Sequence, residues 1–414
     1  MTKGQTLTFS DTDKLSLLLN VSRLISSRLE LKPLFGEVTA QAARLVSAHR
    51  TTLYLYEAER EELYTLVGGG LDREIRLSLG QGVAGAAAKL RQTLIIPDAY
   101  KSEYFDPIWD DKNKYLTKSL LAVPMISQDR RLLGCFQAVN RLHPRGTPIV
   151  IPATGETLKV AVFSDDDVEL LSALTAIATV AVENAMLYEE QKRQFNSFIV
   201  TLAQSVDARD ATTSSHTRLV TGIAVAIARQ MGLGEQAVER VRIAAVLHDY
   251  GKIGVPDNVL NKPGELRPKQ RQLMHSHCIK TILILSRIAF RRDLRDIPQL
   301  AGMHHEWLDG SGYPFGLKAE EIPLEGRILA VADVFQALTQ TRPYKDGMPP
   351  ERALATCFEL AGPHQDNRSG EPRGTQLDVN VVTALSEVLQ ACTWEMSYFE
   401  GVSGWEQMLS GELV

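Results

Sequence analysis

Histidine is concentrated in one part of this sequence. Six of the nine histidines fall within 90 consecutive residues, where an even distribution would place about two. These are His216, His248, His275, His277, His304 and His305. A single histidine is more often an ordinary core or surface residue. Several imidazoles interleaved with carboxylates, however, form the ligand set that divalent transition metals prefer, so the cluster predicts a metal site.

Two short segments combine these histidines with other reactive side chains. HDYGKIGVPD begins at His248 after an apolar helical run, which places Asp249 and Lys252 at a helix end that enters a glycine-containing turn. HHEWLDGSGYP begins at His304. Adjacent side chains on a helix point about 100° apart. His304 and His305 could therefore bracket a pair of ions, or hold one ion from two sides of a distorted helix end.

The composition is that of a globular protein. The chain has 414 residues, of which 44% are hydrophobic and 23% are charged, and its formal net charge is -5. These values exclude a disordered or collagen-like chain, and the length is typical of about two to three domains. The mildly acidic balance argues against a protein that binds nucleic acid polymers or anionic lipids through its net charge.

Cysteine usage and the length of apolar runs indicate the cellular compartment of the protein. The four cysteines, Cys135, Cys278, Cys357 and Cys392, form no Cys-x-x-Cys pair, which favours buried apolar fillers over disulfides or a thiolate zinc site. No apolar run has the length of a membrane span, and the first residues, MTKGQTLTFSDTDK, lack the apolar segment of a secretion signal. We therefore expect a cytoplasmic protein without a membrane span.

The period of the apolar pattern changes near residue 190. Strands are predicted before it, at residues 51–56, 62–67, 119–125 and 132–140, with helices at 14–28, 34–47 and 82–90. After residue 195 nearly every pattern is helical. We therefore predict a tail at 1–13, an α+β domain at 14–190, an all-α domain at 191–392 and a C-terminal extension at 393–414.

A long helix is predicted to join the two domains, from about residue 167 to residue 208. Its apolar residues recur with the 3,4 spacing of a coiled coil over about five heptads. Two interpretations of the first half stay open, a dimer seam and a helix packed on its own sheet. For the second half we favour a parallel homodimer seam formed by Phe195, Ile199, Leu202 and Val206.

The first domain resembles a GAF domain. The resemblance is carried by GQGVAGAAAK from Gly80, SLLAVPM from Ser119, LLGCFQAVNR from Leu132 and FSDDDVELLSALTAIATVAVENAMLY from Phe163. It implies a small-molecule or redox sensor with regulatory function and does not name the ligand. Asn140-Arg141 and Phe163 with Asp167 match only in part a motif of members that bind cyclic nucleotides, which leaves such a ligand as an alternative. Phe136 and Tyr104 are candidates for pocket lining or for the core.

The second domain resembles the HD-GYP family of metal-dependent phosphohydrolases. The resemblance spans about residues 198–385 and is carried by HDYGKIGVPDNVLNKPGEL, HHEWLDGSGYP and LAVADVFQALTQTRPYK. It implies hydrolysis of the bacterial second messenger cyclic di-GMP to linear pGpG, with GMP as a further product in some members. Two alternatives remain, an HD phosphohydrolase for other cyclic or linear nucleotides and a catalytically silent cyclic di-GMP receptor.

The same resemblance implies roles for individual residues. The implied metal ligands are His216, His248, Asp249, His277, His304, His305 and Asp333, which would hold two divalent ions per chain, iron or manganese. Asp249 and Lys252 would be catalytic, and Lys252, Tyr313, Arg342 and Lys345 would contact the substrate. Members with a third ion use a carboxylate where this chain has Thr212, so we expect two ions. Tyr250 stands where a small aliphatic residue is usual.

Overall fold

The computed structural model describes residues 31–65, 74–209, 216–341, 346–365 and 372–393, together with Met396 and Phe399. The chain divides into two compact units, Met1–Glu190 and Gln191–Val414. The predicted helix at 14–28 lies outside the described residues.

The first unit is built on an antiparallel sheet. Within the described residues its strands are β1 (Ala48–Glu57), β2 (Glu62–Tyr64), β3 (Arg76–Ser78), β4 (Leu94–Ile96), β5 (Leu120–Ile126), β6 (Leu132–Val150) and β7 (Thr157–Ala161). Their order is β3-β2-β1-β6-β5-β4, and β7 pairs with β6. The four predicted strands are confirmed with small shifts in their bounds. β3 and β4 were not predicted, because three residues are too few to show an alternating pattern.

Helices cover both faces of this sheet. They are α1 (Leu31–Leu45), α2 (Gly82–Leu90), α3 (Ile108–Asn113) and the first part of α4 (Asp165–Asp207). Alternation along β1 separates the two cores, since Leu53 and Leu55 pack in the core with α1 and α4, whereas Tyr54 packs in the core with α2. The α+β prediction is confirmed.

The segment after residue 142 continues β6. The strand runs ten residues beyond the predicted end at Asn140, and its last part pairs with β7 in the register Val150↔Thr157. The register shifts between Leu142 and Thr147. This irregularity explains why the sequence pattern broke there.

The helix α4 has 43 residues and runs through the boundary between the units. Among the described residues it is the one helix whose length and composition would suit a membrane span, a test that the core helix of a soluble domain also passes. Leu171, Leu174 and Ala178 are buried in the core of the first unit. These contacts account for the apolar character of the first half, as the second of the two interpretations predicted.

The second unit is mainly helical. After α4 come α5 (His216–Gln230), α6 (Glu235–Leu247), a 3₁₀ turn (Tyr250–Gly254), α7 (Asp257–Leu260), α8 (Pro268–Leu285), α9 (Ile297–Gly302), α10 (Leu324–Thr339), α11 (Pro350–Leu360) and α12 (Val379–Ala391). A two-stranded ribbon of β8 (His364–Gln365) and β9 (Pro372–Arg373) was not predicted. The domain is therefore helical with one small exception.

The predicted dimer seam in the second half of α4 is wrong for most of its residues. Ile199 and Val206 are 0% and 4% exposed and belong to the core of the second unit, where Leu202 packs partly buried. Phe195 meets Phe290 edge-to-face with ring centroids 6.1 Å apart. The 3,4 spacing reflects packing inside the chain, because a helix on its own domain and a helix in a coiled coil need the same apolar stripe.

Candidate metal centre

Five of the predicted ligands reach one point from the ends and faces of separate helices. His216 is the first residue of α5, His248 directly follows α6, and His277 lies within α8. His304 follows α9, and Asp333 lies on α10. The side chains of these residues are all buried. The helical bundle thus brings together residues that are as many as 117 positions apart in sequence, from 216 to 333.

Four of the imidazoles are oriented in the same way. The Nδ1 atoms of His248, His277 and His304 lie 2.7, 2.7 and 2.8 Å from the carbonyl oxygens of the residues three positions earlier. The Nδ1 atom of His216 contacts the side-chain oxygen of Gln336. Each Nδ1 therefore donates a hydrogen, which leaves the Nε2 lone pair available for a ligand.

The free Nε2 atoms face each other in two pairs. His216 and His248 have their Nε2 atoms 3.2 Å apart, and His277 and His304 have theirs at the same distance. Two nitrogens bound tetrahedrally to one ion at about 2.05 Å would lie about 3.3 Å apart. Because two facing lone pairs repel each other when nothing lies between them, the geometry suits a cation beside each pair. The residues present therefore fit a pair of divalent metal ions.

Asp249 lies between the two pairs. Its Oδ2 is 3.6 Å from Nε2 of His216 and 3.3 Å from Nε2 of His248. Its Oδ1 is 3.4 Å from Nε2 of His277 and 4.0 Å from Nε2 of His304. One oxygen thus faces each pair, which is the arrangement a bridging carboxylate needs.

A second carboxylate connects the remaining histidine to the cluster. Asp333 places Oδ1 3.4 Å from Nε2 of His216, and its Oδ2 lies 3.8 Å from Nδ1 of His305. The ring of His305 is 4.2 Å from that of His304 between centroids. All seven predicted ligands therefore converge, and His304 and His305 contribute from different directions.

The electrostatic environment favours the metal-binding protonation state at Asp249, His277, His304 and His305, whereas Asp249 raises the pKa of His248 against the effect of burial. Burial alone would raise the pKa of Asp249, but Lys252, whose Nζ lies 2.6 Å from Oδ2, and His248 hold it well below its usual range. Burial lowers the pKa of His277, and burial together with His305 lowers that of His304 much further. Desolvation also lowers the pKa of His305 to about 4. These carboxylate and imidazole groups are ready to bind cations at neutral pH.

The turn of the first motif packs tightly on α8. A Cβ atom at Gly251 would lie 1.9 Å from the carbonyl oxygen of His277, so only glycine fits there. The Gly251 N–H donates to Oγ1 of Thr281 at 2.8 Å, and that hydroxyl donates to the carbonyl of His248 at 3.0 Å. This contact fixes the spacing between the ligands on the turn and the ligand on α8.

The loop of the second motif is held by Glu306. Its two carboxylate oxygens accept the backbone N–H groups of Phe315 and Leu317 at 2.7 and 2.9 Å, and the residue is 3% exposed. Gly310 adopts φ 80°, a conformation that favours glycine. The loop places Tyr313 with its ring centroid 4.8 Å from that of His305. Tyr313 therefore lies at the edge of the metal centre, where a substrate contact was predicted.

His275 extends this edge into a cleft. Its ring stacks on Tyr313 with centroids 3.9 Å apart and an interplanar angle of 2°. The cleft has a volume of about 540 Å³ and is lined by residues 265–268 together with Arg271, Gln272 and His275. Arg271 and His275 are four residues apart on α8 and share one helix face, and Arg267 precedes the helix as its N-cap residue. A basic face thus leads away from the metal ligands.

Several predicted site residues are not described. Arg342, Lys345 and Thr212 lie outside the described residues, and so does Asp210. Tyr250, the unusual residue of the first motif, packs partly buried against the core of the second unit. It leaves the ligand set of the neighbouring Asp249 intact.

The sequence analysis missed four residues that act around the centre. They are His275, Cys278, Glu306 and Gln336. Glu306 was visible as the third residue of HHE, but its backbone acceptors are nine and eleven positions later. Gln336 is 120 positions from His216, and no local pattern links the two. Contacts of this kind depend on the packed helices.

The first unit contains a separate cavity of about 500 Å³ on the α2 side of its sheet. Arg50, Thr52, Tyr54, Phe105, Trp109, Tyr115 and Gln137 are among its lining residues. Phe136 and Tyr104 are not, since Phe136 is fully buried in the core and Tyr104 packs at the edge of the other core. The cavity combines aromatic and polar side chains, as small-molecule sites do.

The partial cyclic-nucleotide motif serves the fold in this chain. Arg141 pairs with Asp167, whose Oδ2 also accepts the N–H and the hydroxyl of Ser164 at 2.7 Å each. Asn140 is fully buried, and its Oδ1 accepts the Lys118 N–H at 2.7 Å. These side chains join the end of the sheet to the start of α4 rather than lining the cavity.

The fold and the site define an α+β sensor-type domain followed by a helical domain with a buried cluster of histidine and aspartate ligands. The family model described as the GAF domain matches residues 30–182, and the model described as the HD domain matches residues 201–368. The chain therefore carries a GAF domain followed by an HD domain.

Curated relatives are similar over part of their length. A cyclic di-GMP phosphodiesterase of Thermotoga maritima is 45% identical over 154 residues, which cover 37% of this chain and 42% of that protein. The cyclic di-GMP phosphodiesterase response regulator RpfG of Xanthomonas campestris is 42% identical, with 42% of this chain and 45% of that protein covered. The 3'3'-cGAMP-specific phosphodiesterase 2 of Vibrio cholerae is 34% identical, with coverages of 49% and 38%. The chain spans less than half the length of each of these relatives.

Proposed function

We propose that this chain is a metal-dependent phosphodiesterase that hydrolyses cyclic di-GMP to pGpG, and in a second step to GMP. The observation that carries the proposal is Asp249, which directs one oxygen to each of two facing histidine pairs. The names of the relatives, among them two cyclic di-GMP phosphodiesterases, support the substrate. The HD-GYP segments of the sequence contain histidine and aspartate ligands, and they agree with both the metal centre and the proposed substrate.

The seven ligands would hold two ions, and imidazole and carboxylate ligands suit iron or manganese. Such a pair supplies an activated water and neutralises charge on a phosphodiester. His216, His248 and Asp333 form one half of the ligand set, His277, His304 and His305 form the other, and Asp249 belongs to both.

Lys252 and Tyr313 would handle the substrate beside this centre. The Lys252 ammonium lies 2.6 Å from Oδ2 of Asp249, close enough to the ligands to neutralise charge on a phosphate oxygen. Tyr313 offers a ring face at the rim of the cluster. Arg342 and Lys345 carry charges suited to a phosphate, and we assign them this role from the sequence alone.

The cleft along α8 has the chemistry to receive the rest of the dinucleotide. Arg271 lies within range of His275 and lowers its pKa, after the effect of burial. A guanidinium can pair in a bidentate way with a phosphate or with the O6 and N7 atoms of guanine. We propose that Arg271 contacts the part of the substrate remote from the bond that is cut.

The test of the function is product analysis with cyclic di-GMP and 3'3'-cGAMP side by side. The metal-loaded chain should convert cyclic di-GMP to pGpG faster than it cleaves 3'3'-cGAMP. A preference for 3'3'-cGAMP, the substrate in the name of the Vibrio cholerae relative, would change the substrate but keep the chemistry. Tight binding of cyclic di-GMP without cleavage would establish a silent receptor.

The GAF domain would regulate this activity in the cytoplasm through a ligand in its cavity. The chain would act as a homodimer, with a contact on α4 other than the one first predicted. Val180, Leu187 and Phe198 are 49%, 48% and 46% exposed. They are spaced by 7 and 11 residues, which puts them on one face of the helix. This exposed apolar stripe is the surface we assign to the partner copy.

A further inference from the structure

Cys278 lies beside the proposed ligands of the metal centre and is buried, as its sequence context predicted. Its side chain is fully buried, and its Sγ atom is 3.4 Å from Nε2 of His277. The sulfur and one ring nitrogen from each of His277, His304 and His305 all lie within 4.8 Å of one another. Cys278 therefore belongs to the same group of donor atoms as three of the proposed ligands.

The distances suit ligands of a common ion. A thiolate at about 2.3 Å and an imidazole nitrogen at about 2.05 Å from one ion lie about 3.5 Å apart in tetrahedral geometry. The sulfur to nitrogen distance of 3.4 Å and the nitrogen to nitrogen distance of 3.2 Å in this group agree with these values. His277 and His304 are 2% and 1% exposed, their Nε2 atoms face each other, and Nε2 of His277 also contacts the sulfur.

We propose that Cys278 is a thiolate ligand of the ion held by His277, His304 and His305. The proposal rests on the proposed metal centre. As the metal–sulfur bond forms, the thiol proton leaves to the solvent. One half of the centre then offers nitrogen and sulfur, whereas the half formed by His216, His248 and Asp333 offers nitrogen and oxygen.

The sulfur makes the two halves of the centre chemically different. Thiolate is a soft ligand that favours Zn²⁺ and Co²⁺ over Mn²⁺, while carboxylates accept Mn²⁺ readily. The half that contains Cys278 should therefore select against Mn²⁺. The chain would prefer iron, cobalt or zinc in one position and tolerate manganese in the other.

The test uses the full chain loaded with Co²⁺, because a cobalt–thiolate bond produces a charge-transfer absorption band that is independent of activity. We expect this near-ultraviolet band in the wild type and its loss in Cys278→Ser. The matched control is Cys357→Ser, a fully buried cysteine on α11 in the core of the same unit, which should keep the band. Zn²⁺ affinity should fall by about tenfold or more in Cys278→Ser, with little change for Mn²⁺.

Each other outcome is decisive. If wild-type protein binds Co²⁺ without the band, or if the band persists in Cys278→Ser, then Cys278 is not a ligand while the metal centre stands. If the wild type retains no Co²⁺ or any other transition metal, the centre and the proposed function both fail. If Cys278→Ser does not fold, the wild-type spectrum and the Cys357→Ser control still show whether Cys278 binds the ion. Cys278 is the one cysteine of the four that lies near the ligands, so a thiolate band must come from it.

Discussion

At the scale of single residues, Asp249 and Lys252 have separable tasks. Asp249 faces both histidine pairs, whereas Lys252 pairs with Oδ2 of Asp249 and its ammonium has no lone pair to offer a cation. Asp249→Ala should therefore lose metal and turnover together, because the shared carboxylate is removed. Lys252→Ala should keep its metal and lose turnover by about 10² to 10³-fold, the usual loss when one charge-stabilising group is deleted.

Metal analysis and turnover on the same samples check this division. Lys280→Ala is the matched control, because Lys280 lies on α8 and donates to the carbonyl of Gly254, away from the ligands. Its variant should resemble the wild type in both measurements. Full turnover in Lys252→Ala would reduce Lys252 to a structural partner of Asp249.

Arg271 provides a second test at this scale. Arg271→Ala should raise KM for cyclic di-GMP by about tenfold and leave kcat nearly unchanged, because a lost charged hydrogen bond away from the reacting atoms weakens binding alone. Arg287→Ala, an exposed arginine just beyond the end of α8, is the control and should change neither constant. Steady-state kinetics measure both, and an unaltered KM in Arg271→Ala would place the substrate outside the cleft.

The sequence was informative about ligands and uninformative about what orients them. The seven ligands were implied by the resemblance to the HD-GYP family, and the structure brings all seven together. Gln336 and the carbonyl acceptors that orient the imidazoles depend on helix packing and leave no local signal. The sequence contained no signal for the ligand role proposed for Cys278, because a lone cysteine without a Cys-x-x-Cys partner is typical of a buried apolar residue.

At the scale of secondary-structure elements, the apolar spacing of α4 predicted the extent of the helix but not the surface against which it packs. The extent of the helix was predicted within two residues at each end, as Asp165–Asp207 against 167–208. The surface that buries its apolar stripe was not predicted correctly, because Ile199 and Val206 pack inside their own unit. The spacing of apolar residues identifies the buried face of a helix, but it does not show whether the same chain or a partner chain covers that face.

The exposed stripe on α4 gives a prediction for this helix. Leu187→Glu should weaken the homodimer with little loss of thermal stability, because Leu187 is half exposed within one chain. Ile199→Glu should instead unfold the second unit, since it would bury a charge in the core. Light scattering and thermal unfolding distinguish these results. A dimer that persists unaltered in Leu187→Glu would show that the copies meet on another surface.

At the scale of the whole molecule, one chain carries a cavity in its GAF domain and a buried cluster of candidate metal ligands in its HD domain. The fold class of both domains was predictable, since the change of period near residue 190 coincides with the division into compact units. The ligand of the cavity was not predictable, because its lining comes from strands and loops whose side chains are not contiguous in sequence.

The most direct test of the account is cyclic di-GMP hydrolysis measured against the number of metal ions bound per chain. Metal-free protein should leave the dinucleotide intact, and pGpG formation should rise as iron is added, reaching its maximum near two ions per chain. Hydrolysis by metal-free protein at the same rate, or intact cyclic di-GMP with fully loaded protein, would contradict the account.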